Sequence, residues 1–443
     1  MLTDDQGYGD IARHGNPVIQ TPNLDRLHDQ SVRFSDFHAS PTCAPTRASI
    51  MTGRHEFKSG VTHTINERER MSLKATTIAQ VLRSAGYATG IFGKWHLGDA
   101  VPYQPSQRGF DEAFIHGCGG IGQDYGGTCA DAPGNTYFNP FILHNGVFEK
   151  TTGYCTDVFF GQALTWIDGQ RKSGAPFFAY ITPNAPHVPL QCPEEYINRY
   201  RGKVPDENTA RYFGMVTNID DNVGRLMAKL ADWGIERDTM LVFMTDNGGT
   251  GGVRVFNAGM RGAKGTAWQG GTRVPLFVRW TGNWTPRHVT ELAGAIDLFP
   301  TLAEVARAEV PAGLGLDGRS LLSLIGRQGS RWSDRYLFTH VGRWDKGKAA
   351  QSKYAQCRVR NARFSLLSLG PEKNWQLFDL WNDPGEKENV MSRFTEVARA
   401  METAYDKWWA EILPCLENED AQPPAMAPYK ELFWKQFGSR KPA

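Results

Sequence analysis

Residues 240–249 read MLVFMTDNGG, an apolar run that passes directly into two polar side chains and two glycines. The same pattern, a short apolar run followed by a polar cluster, occurs at residues 87–92 (YATGIF) and 176–182 (PFFAYIT). Residues 275–280 (PLFVRW) form another short apolar run, which follows a glycine-rich loop. Runs of this length and composition are typical of buried parallel strands.

Helical patterns lie between these runs. Apolar side chains recur at helical spacing in residues 73–85, 157–170 and 209–233, and residues 297–307 begin at Asp297, a typical cap residue. Alternating strands and helices predict an α/β fold in which a large, mostly parallel sheet is sandwiched by helices. Ligands of such sheets collect beyond the carboxyl ends of the strands, so we expect the polar clusters to share one cleft.

The pattern changes after residue 325. Beyond it lie three strand-like segments and one helical segment, at residues 335–341, 354–369, 375–380 and 391–412. We therefore predict a catalytic domain over residues 1–325 and a smaller C-terminal α+β subdomain, built on an antiparallel sheet, over residues 326–443.

Composition narrows the class of protein. The 443 residues are 40% hydrophobic and 22% charged, with a formal net charge of +2. This near-balance gives no reason to expect nucleic acid or an anionic membrane as a partner, and no stretch is long and apolar enough to span a bilayer. The seven cysteines include no CxxC pair, which argues against zinc. Their odd number leaves at least one unpaired, and Cys43 is the candidate.

Cys43 opens the segment CAPTRASIMTGR, residues 43–54. Pro45 suits the first turn of a helix and Gly53 suits its end, so Cys43 is predicted at a helix N-terminus, where anions are favoured. Arg47 lies one turn further on, on the same face. A cysteine, proline and arginine at this spacing are equally compatible with a buried cysteine before an ordinary helix.

Two acidic pairs offer oxygen ligands for a hard cation. They are Asp4-Asp5, near the N-terminus, and Asp246-Asn247, after the quoted apolar run. Three carboxylates and one amide oxygen suit calcium better than a soft metal. Either pair alone is more typical of a turn or a helix cap.

Three further cationic or titratable groups lie in distinctive segments. Lys94 and His96 belong to GKWHLG, residues 93–98, where an extended backbone would direct both side chains the same way. His187 closes the segment NAPH, and Lys264 lies in RGAKG, in a loop expected to be flexible.

Together these segments resemble the type I sulfatases of the alkaline phosphatase superfamily. The resemblance extends to residues 270–275 (GGTRVP) and 377–386 (LFDLWNDPGE), and so covers most of the chain. It implies hydrolysis of a sulfate monoester to an alcohol or phenol and inorganic sulfate. The implied substrate is a sulfated small molecule or a sulfated carbohydrate.

The resemblance also implies how the reaction proceeds. A maturation enzyme would oxidise Cys43 to formylglycine, whose hydrate attacks sulfur with one hydroxyl and expels sulfate with the other. One calcium ion would be held by Asp4, Asp5, Asp246, Asn247 and the modified Cys43. The implied catalytic residues are Cys43, Arg47, Lys94, which binds sulfate, His96, which takes a proton from the hydrate, and His187 and Lys264, which contact the leaving oxygen.

Two alternatives remain open from the sequence. The first is a phosphonate monoester or phosphodiester hydrolase that uses the same formylglycine. The second is an inactive sulfatase-like binding protein, which would follow if Cys43 stays a thiol.

The N-terminus departs from the family pattern. Sulfatases place an apolar first strand before the two aspartates, whereas here only Met1-Leu2-Thr3 precede Asp4. We therefore expect the natural protein to begin upstream. No signal peptide is present in this chain, so the periplasmic or secreted location that the family implies is an expectation.

The sequence does not identify the organic part of the substrate. Residues 117–153 are expected to form a long irregular loop beside the site, with Tyr125, His144 and Asn145. These side chains, with Arg343 and Trp344 of the C-terminal subdomain, either shape a sugar pocket or serve ordinary loop packing.

Overall fold

The computed structural model describes residues 1–326 and 332–438. Its strands are Leu2–Thr3 (β1), Val32–Phe34 (β2), Phe37–His38 (β3), Ala88–Lys94 (β4), Glu112–His116 (β5), Phe141–His144 (β6), Val147–Lys150 (β7), Phe177–Thr182 (β8), Leu241–Thr245 (β9), Leu276–Arg279 (β10), Arg287–Val289 (β11), Ala293–Gly294 (β12), Leu337–His340 (β13), Cys357–Arg360 (β14), Phe364–Ser368 (β15) and Gln376–Asp379 (β16).

The α-helices of the same part of the chain alternate with these strands as far as β12. They are Pro22–Asp29 (α1), Cys43–Thr52 (α2), Ile78–Ser84 (α3), Cys155–Ser173 (α4), Glu194–Ile197 (α5), Glu207–Asp232 (α6), Gln269–Thr272 (α7), Leu298–Val305 (α8), Leu322–Ile325 (α9), Thr395–Ile412 (α10) and Pro428–Phe437 (α11). None of the described helices combines the length and the hydropathy needed to cross a bilayer.

The central layer consists of two five-stranded sheets, in the orders β7-β6-β5-β4-β8 and β1-β9-β10-β2-β11. Their facing edges are β8 and β1, and the backbone N–H of Asp4, just after β1, donates to the carbonyl of Ala185, just after β8, at 3.2 Å. One hydrophobic cluster packs α4 and α6 on one side of this layer, and another packs α2, α3 and α8 against it. The predicted α/β class, with helices on both faces of the sheet, is confirmed.

The predicted parallel arrangement holds only in part. β4 is parallel to β5 and β8, and β1 is parallel to β9. β10, the apolar run at residues 275–280, is antiparallel to both β9 and β2, so the prediction of a parallel strand there was wrong. A strand buried on both faces has the same apolar composition in either direction, so the sequence pattern could not reveal its orientation.

Local capping explains why α3 begins later than its apolar pattern. The hydroxyl of Thr77 accepts from the N–H of Gln80, and the Gln80 side chain accepts from the N–H of Thr77 at 2.9 Å. This reciprocal pair satisfies N–H groups of the first turn and starts the helix at Ile78 rather than at residue 73.

We predict from the sequence that the segment 117–153 is one long irregular loop, but part of it has regular structure. It contains the hairpin of β6 and β7, which extends the sheet from β5. His144 lies between the carboxylates of Glu112 and Glu149, and the side chain of Asn145 accepts from the N–H of Ala113. Both residues therefore stabilise the hairpin, as the packing alternative proposed.

The predicted antiparallel C-terminal sheet is confirmed, in the order β13-β14-β15-β16, with α10 packed across it. The boundary that we predict between residues 325 and 326 adjoins residues 327–331, which lie outside the described part of the chain, and it stays a prediction.

Two buried arginines of β14 connect this sheet to the catalytic part. Arg360 donates to both carboxylate oxygens of Asp36, at 2.6 and 2.7 Å, and to Nε2 of His38 at 2.6 Å. Arg358 donates to the hydroxyl of Thr272 at 2.5 Å. Because buried charges are costly unless they are paired, these contacts fix how β14 lies against the catalytic part.

His340, at the end of β13, is bound at both ring nitrogens. Its Nε2–H donates to the carbonyl of Ser352, and its Nδ1 accepts from the N–H of Gly342, each at 3.0 Å. Nδ1 can accept only in the neutral ring, and burial lowers the pKa of His340 to about 4. The stabilisation from a neutral His340 is therefore present above the unfolded pKa of about 6.5 and is lost as the pH falls towards 4.

We predict that replacing His340 with asparagine lowers the melting temperature more at pH 7.5 than at pH 4.5. At the higher pH the loss should correspond to about 1–2 kcal/mol, the value of two net hydrogen bonds. Thermal unfolding of the two chains across this pH range is the measurement. Because the two chains differ at one residue, the titration of all other groups affects both melting temperatures alike. A difference in melting temperature that stayed constant with pH would contradict the prediction.

Candidate active site

Cys43 lies at the first position of α2, as predicted, and Gly53 ends this helix with a left-handed φ of 64°. The thiol is buried, with 2% of the residue exposed. Burial raises the pKa of Cys43, but the positive charges of Lys94 and Lys264 outweigh it, so the pKa lies below its ordinary value. The site is thus arranged to stabilise negative charge at this position.

Arg47 does not present a free guanidinium to the site. Its Nη2 donates to Oδ2 of Asp246, and its Nη1 donates to the carbonyl of Lys94, both at 2.8 Å. Lys94 in turn forms a fully buried ion pair with Oδ2 of Asp4, at 2.6 Å. The two cations therefore neutralise and orient two of the predicted metal ligands.

The predicted carboxylate ligands lie together beside Cys43, and Nδ2 of Asn247 donates to Oδ1 of Asp5 at 3.0 Å. Single ligand atoms of Asp4, Cys43 and Asp246 lie within 4.8 Å of one another, and so do those of Asp4, Asp5 and His187. The N–H of Asp5 donates to Oδ1 of Asp246 at 3.2 Å, which connects the two acidic pairs. Sequence positions 4–5 and 246–247 thus form one cluster at the ends of β1 and β9.

This cluster has the properties of a cation site. Oδ1 of Asp4 and Oδ1 of Asn247 are buried, and neither has a hydrogen-bond partner within the described residues. Burial raises the pKa of both Asp4 and Asp246 to about 6, and their mutual repulsion adds to the shift at Asp246. Unpartnered buried oxygens and crowded carboxylates fit a hard divalent ion such as calcium.

Glycines allow the two acidic segments to approach each other. A Cβ on Gly7 would lie 2.8 Å from the Cα of Gly249, where the two acidic segments meet. A Cβ on Gly248 would lie 1.9 Å from the carbonyl oxygen of Gly270, so glycine also lets the segment after Asp246 approach α7. Asp5 itself has a φ of 70°, a conformation that non-glycine residues adopt mainly where surrounding structure enforces it. The glycines after each acidic pair were visible in the sequence and could have indicated this contact.

Tyr212 and Asp10 support Asp5, and sequence reasoning missed both. The hydroxyl of Tyr212, on α6, lies 2.7 Å from the carbonyl oxygen of Asp5 and 2.6 Å from Oδ2 of Asp10. Asp10 also accepts from the N–H of Gly7. These residues come from a loop and a distant helix, and no local pattern distinguishes them from ordinary core polar groups.

His96 faces the site for a different reason from the one predicted. β4 ends at Lys94, and His96 has a left-handed φ of 59°, so alternation along an extended strand does not apply. Its Nε2–H donates to the carbonyl of Thr64 at 2.7 Å. Its Nδ1 is buried without a partner in the described part of the chain, and burial together with the charge of Lys94 keeps its pKa well below the ordinary value. His96 is thus a neutral ring with one free acceptor nitrogen.

Lys264 and His187 lie near different oxygens of the Asp5 carboxylate. Nζ of Lys264 is 2.5 Å from Oδ1, and Nε2 of His187 is 3.9 Å from Oδ2. Burial lowers the pKa of His187, whereas Asp5 outweighs burial and raises the pKa of Lys264. The two groups therefore differ in their readiness to release a proton.

The loop of Lys264 is anchored rather than free, contrary to the flexibility that we expected. The N–H of Lys264 donates to the carbonyl of Gly249 at 3.2 Å, and the N–H of Gly265 donates to the carbonyl of Pro41 at 2.8 Å. The lysine is therefore fixed relative to both the acidic cluster and the segment that enters α2.

A disulfide closes the loop beside His96. It joins Cys118 and Cys129, both buried, and Sγ of Cys129 lies 4.0 Å from Nε2 of His96. The sequence left the pairing of the cysteines open. Cys43 is among the free cysteines of the described residues.

A helix N-terminus and several buried cations around a nucleophile position, next to an oxygen-rich cation site, define a hydrolase of anionic esters. A family model for sulfatases matches residues 1–308, and one for the C-terminal region of N-sulphoglucosamine sulphohydrolase matches residues 263–408. The chain belongs to the sulfatase family and is a sulfuric ester hydrolase. The predicted resemblance to the type I enzymes of the alkaline phosphatase superfamily is confirmed.

Named relatives agree with this assignment. Arylsulfatase A of Bos taurus is 30% identical over 90% of this chain and 84% of its own length. Arylsulfatase J of Mus musculus is 28% identical over 90% of this chain and 73% of its own length. The crystal structure of Ps i-CgsB in complex with k-i-k-neocarrahexaose is similar over 98% of this chain and 95% of that one, with a TM-score of 0.80 and 28% identity.

Proposed function

We propose that this sulfatase works through a formylglycine formed from Cys43 by a maturation enzyme, with one calcium ion held by Asp4, Asp5, Asp246, Asn247 and the modified residue. The observation that carries the proposal is the position of Cys43, buried at the N-terminus of α2 within reach of the acidic cluster. The hydrated aldehyde would supply the hydroxyl nucleophile, and calcium would polarise the sulfate and favour the ionised hydroxyl.

The chain's own cations prepare the site for an anionic substrate. Lys94 and Lys264 already lower the pKa at position 43, and both are held in place by carboxylates. Because these charges are fixed before the substrate arrives, they need not reorganise as negative charge develops at the sulfate.

His96 is suited to accept a proton. Its Nε2–H is committed to Thr64, and its unpartnered Nδ1 remains as the acceptor. We propose that it takes the proton whose removal expels sulfate from residue 43. Burial would disfavour the imidazolium, but sulfate beside it offsets this cost.

His187 is better suited than Lys264 to protonate the leaving oxygen. In the imidazolium form, which the charge of Asp5 favours, the Nδ1–H of His187 donates to the carbonyl of Val188 at 2.8 Å, and the proton on Nε2 is the transferable one. Its lowered pKa makes that proton easier to release than the proton of Lys264, whose pKa is raised. We therefore assign His187 as the general acid and Lys264 as a fixed positive charge.

We predict that replacing His187 with alanine reduces kcat/KM about 10–100-fold more for a sugar sulfate than for 4-nitrophenyl sulfate. An alkoxide needs a proton to leave, whereas nitrophenolate does not. Replacing Lys264 with alanine should reduce both rates by a similar factor. Initial rates on the two esters test the assignment, and equal losses on both esters for the His187 variant would refute it.

Rates on sulfate and phosphorus esters distinguish a sulfatase from a phosphonate monoester or phosphodiester hydrolase. Matured protein should hydrolyse 4-nitrophenyl sulfate with a higher kcat/KM than the phosphonate monoester 4-nitrophenyl phenylphosphonate or the phosphodiester bis(4-nitrophenyl) phosphate. A preference for either phosphorus ester would favour the alternative within the superfamily. A chain whose Cys43 stays a thiol in the presence of a maturation enzyme, and which hydrolyses none of these esters, would favour the binding-protein alternative.

We further propose that the protein acts in an exported compartment, periplasmic or extracellular. The buried disulfide between Cys118 and Cys129 supports this, because such bonds persist mainly in oxidising environments.

A further inference from the structure

The loop that follows β13 lies directly on the active-site wall. Gly342 has a φ of 71°, and a Cβ there would lie 2.1 Å from the carbonyl oxygen of Thr62. Only glycine permits this approach. Two residues beyond Thr62, the carbonyl of Thr64 accepts from His96. The C-terminal subdomain is thus packed against the segment that positions the predicted proton acceptor.

Trp344, the residue that follows Arg343, is also held in place. Arg68 donates to the carbonyl of Trp344 at 2.8 Å, and the indole N–H of Trp344 donates to Glu419 at 2.7 Å. Glu419 also accepts from the hydroxyl of Thr62. Gly342 and Trp344 therefore hold the backbone of Arg343 from both sides.

The guanidinium of Arg343 is exposed and has no hydrogen bond or ion pair within the described residues. Its Nη1 lies 4.0 Å from the position of a Cβ on Gly265, the residue after Lys264. It also lies near His63, whose pKa is lowered first by burial and then by Arg68 and Arg343. An unpaired cation on a fixed backbone therefore stands at the rim between Lys264 and the loop that holds His96.

We propose that Arg343 binds a second anionic group of the substrate, a sulfate or a carboxylate, beyond the ester that is hydrolysed. This inference rests on the proposed sulfatase function and narrows its substrate class to polyanionic sulfate esters. Arg47, Lys94 and Lys264 are already paired with carboxylates inside the site, whereas Arg343 has its full fork of donors available. A guanidinium binds either oxyanion in a bidentate manner.

The test uses three disaccharides that carry one sulfate ester at the same position and differ only in the neighbouring sugar: a neutral hexose, a uronic acid or a sulfated hexose. Wild-type protein should show a higher kcat/KM for one or both anionic neighbours than for the neutral one. In Arg343→Ala this preference should fall about 10–100-fold, with partial recovery in Arg343→Lys. Comparison of the uronic acid with the sulfated hexose shows whether Arg343 prefers a carboxylate or a sulfate.

Lys348→Ala is the matched control, since Lys348 is an exposed cation in the same loop. It should leave the preference unchanged. Titration calorimetry with the same disaccharides measures binding independently of turnover. A preference in binding that depends on Arg343, in protein that carries formylglycine but hydrolyses neither these disaccharides nor 4-nitrophenyl sulfate, would contradict the proposed function and leave only the anion-binding role of Arg343. Hydrolysis without a preference for an anionic neighbour, or with one that survives Arg343→Ala, would overturn the inference alone.

Discussion

Replacing Cys43 with alanine should reduce kcat/KM for a sulfate ester by about 10⁴-fold or more, because the side chain is the precursor of the proposed nucleophile. Serine should be no better, since its single hydroxyl cannot both attack the sulfur and later release sulfate. The small volume change at the start of α2 leaves the fold intact, which the melting temperature would show. The measurement is the initial rate on 4-nitrophenyl sulfate after expression with a maturation enzyme.

The matched control for Cys43 is Cys415→Ala. Cys415 is a free cysteine distant from the site in sequence, and its thiol donates to the carbonyl of Glu411 at 3.7 Å. This variant should keep its activity. If Cys43→Ala retained activity within about tenfold of the wild type, nucleophilic catalysis at this position would be wrong.

Replacing Asp246 with asparagine should reduce kcat/KM on the order of 10³-fold and abolish the stabilisation of the protein by calcium. Asparagine keeps the shape of the side chain and can still accept from the N–H of Asp5. It removes the negative charge that pairs with Arg47 and that the proposed cation requires. The measurement is the melting temperature in calcium chloride and in EGTA.

Asp220→Asn serves as the control for losing a buried carboxylate. Burial raises the pKa of Asp220 to about 6, as it does for Asp246, but Asp220 accepts from the backbone of α1 rather than from the site. Its variant should keep the full upward shift in melting temperature that calcium produces in the wild type. The same shift in Asp246→Asn would place the ion elsewhere.

The sequence predicted the parts of the site that depend on short segments. The apolar runs at β8 and β9 end where expected, whereas β4 continues two residues beyond its run, to Lys94. The acidic pairs that follow β1 and β9 meet beside Cys43. Such runs and their turn residues carry a local physical signal, because burial and backbone conformation act over a few residues.

What the sequence could not show depends on contacts between distant segments. The orientation of β10, the support of Asp5 by Tyr212 and the pairing of Arg360 with Asp36 all join residues that are far apart in the chain. His96 is one example. Its surroundings impose its left-handed backbone conformation, which the sequence pattern did not predict.

The central claim concerns the chemical identity of residue 43, and mass spectrometry of the tryptic peptide 34–47 tests it most directly. Conversion to formylglycine replaces the sulfur of Cys43 with oxygen and removes two hydrogens, which lowers the mass of the peptide and makes it reactive towards hydrazides. We predict that this aldehyde form dominates in protein produced together with a formylglycine-generating enzyme. A peptide that carries only the unmodified thiol under those conditions would contradict the account.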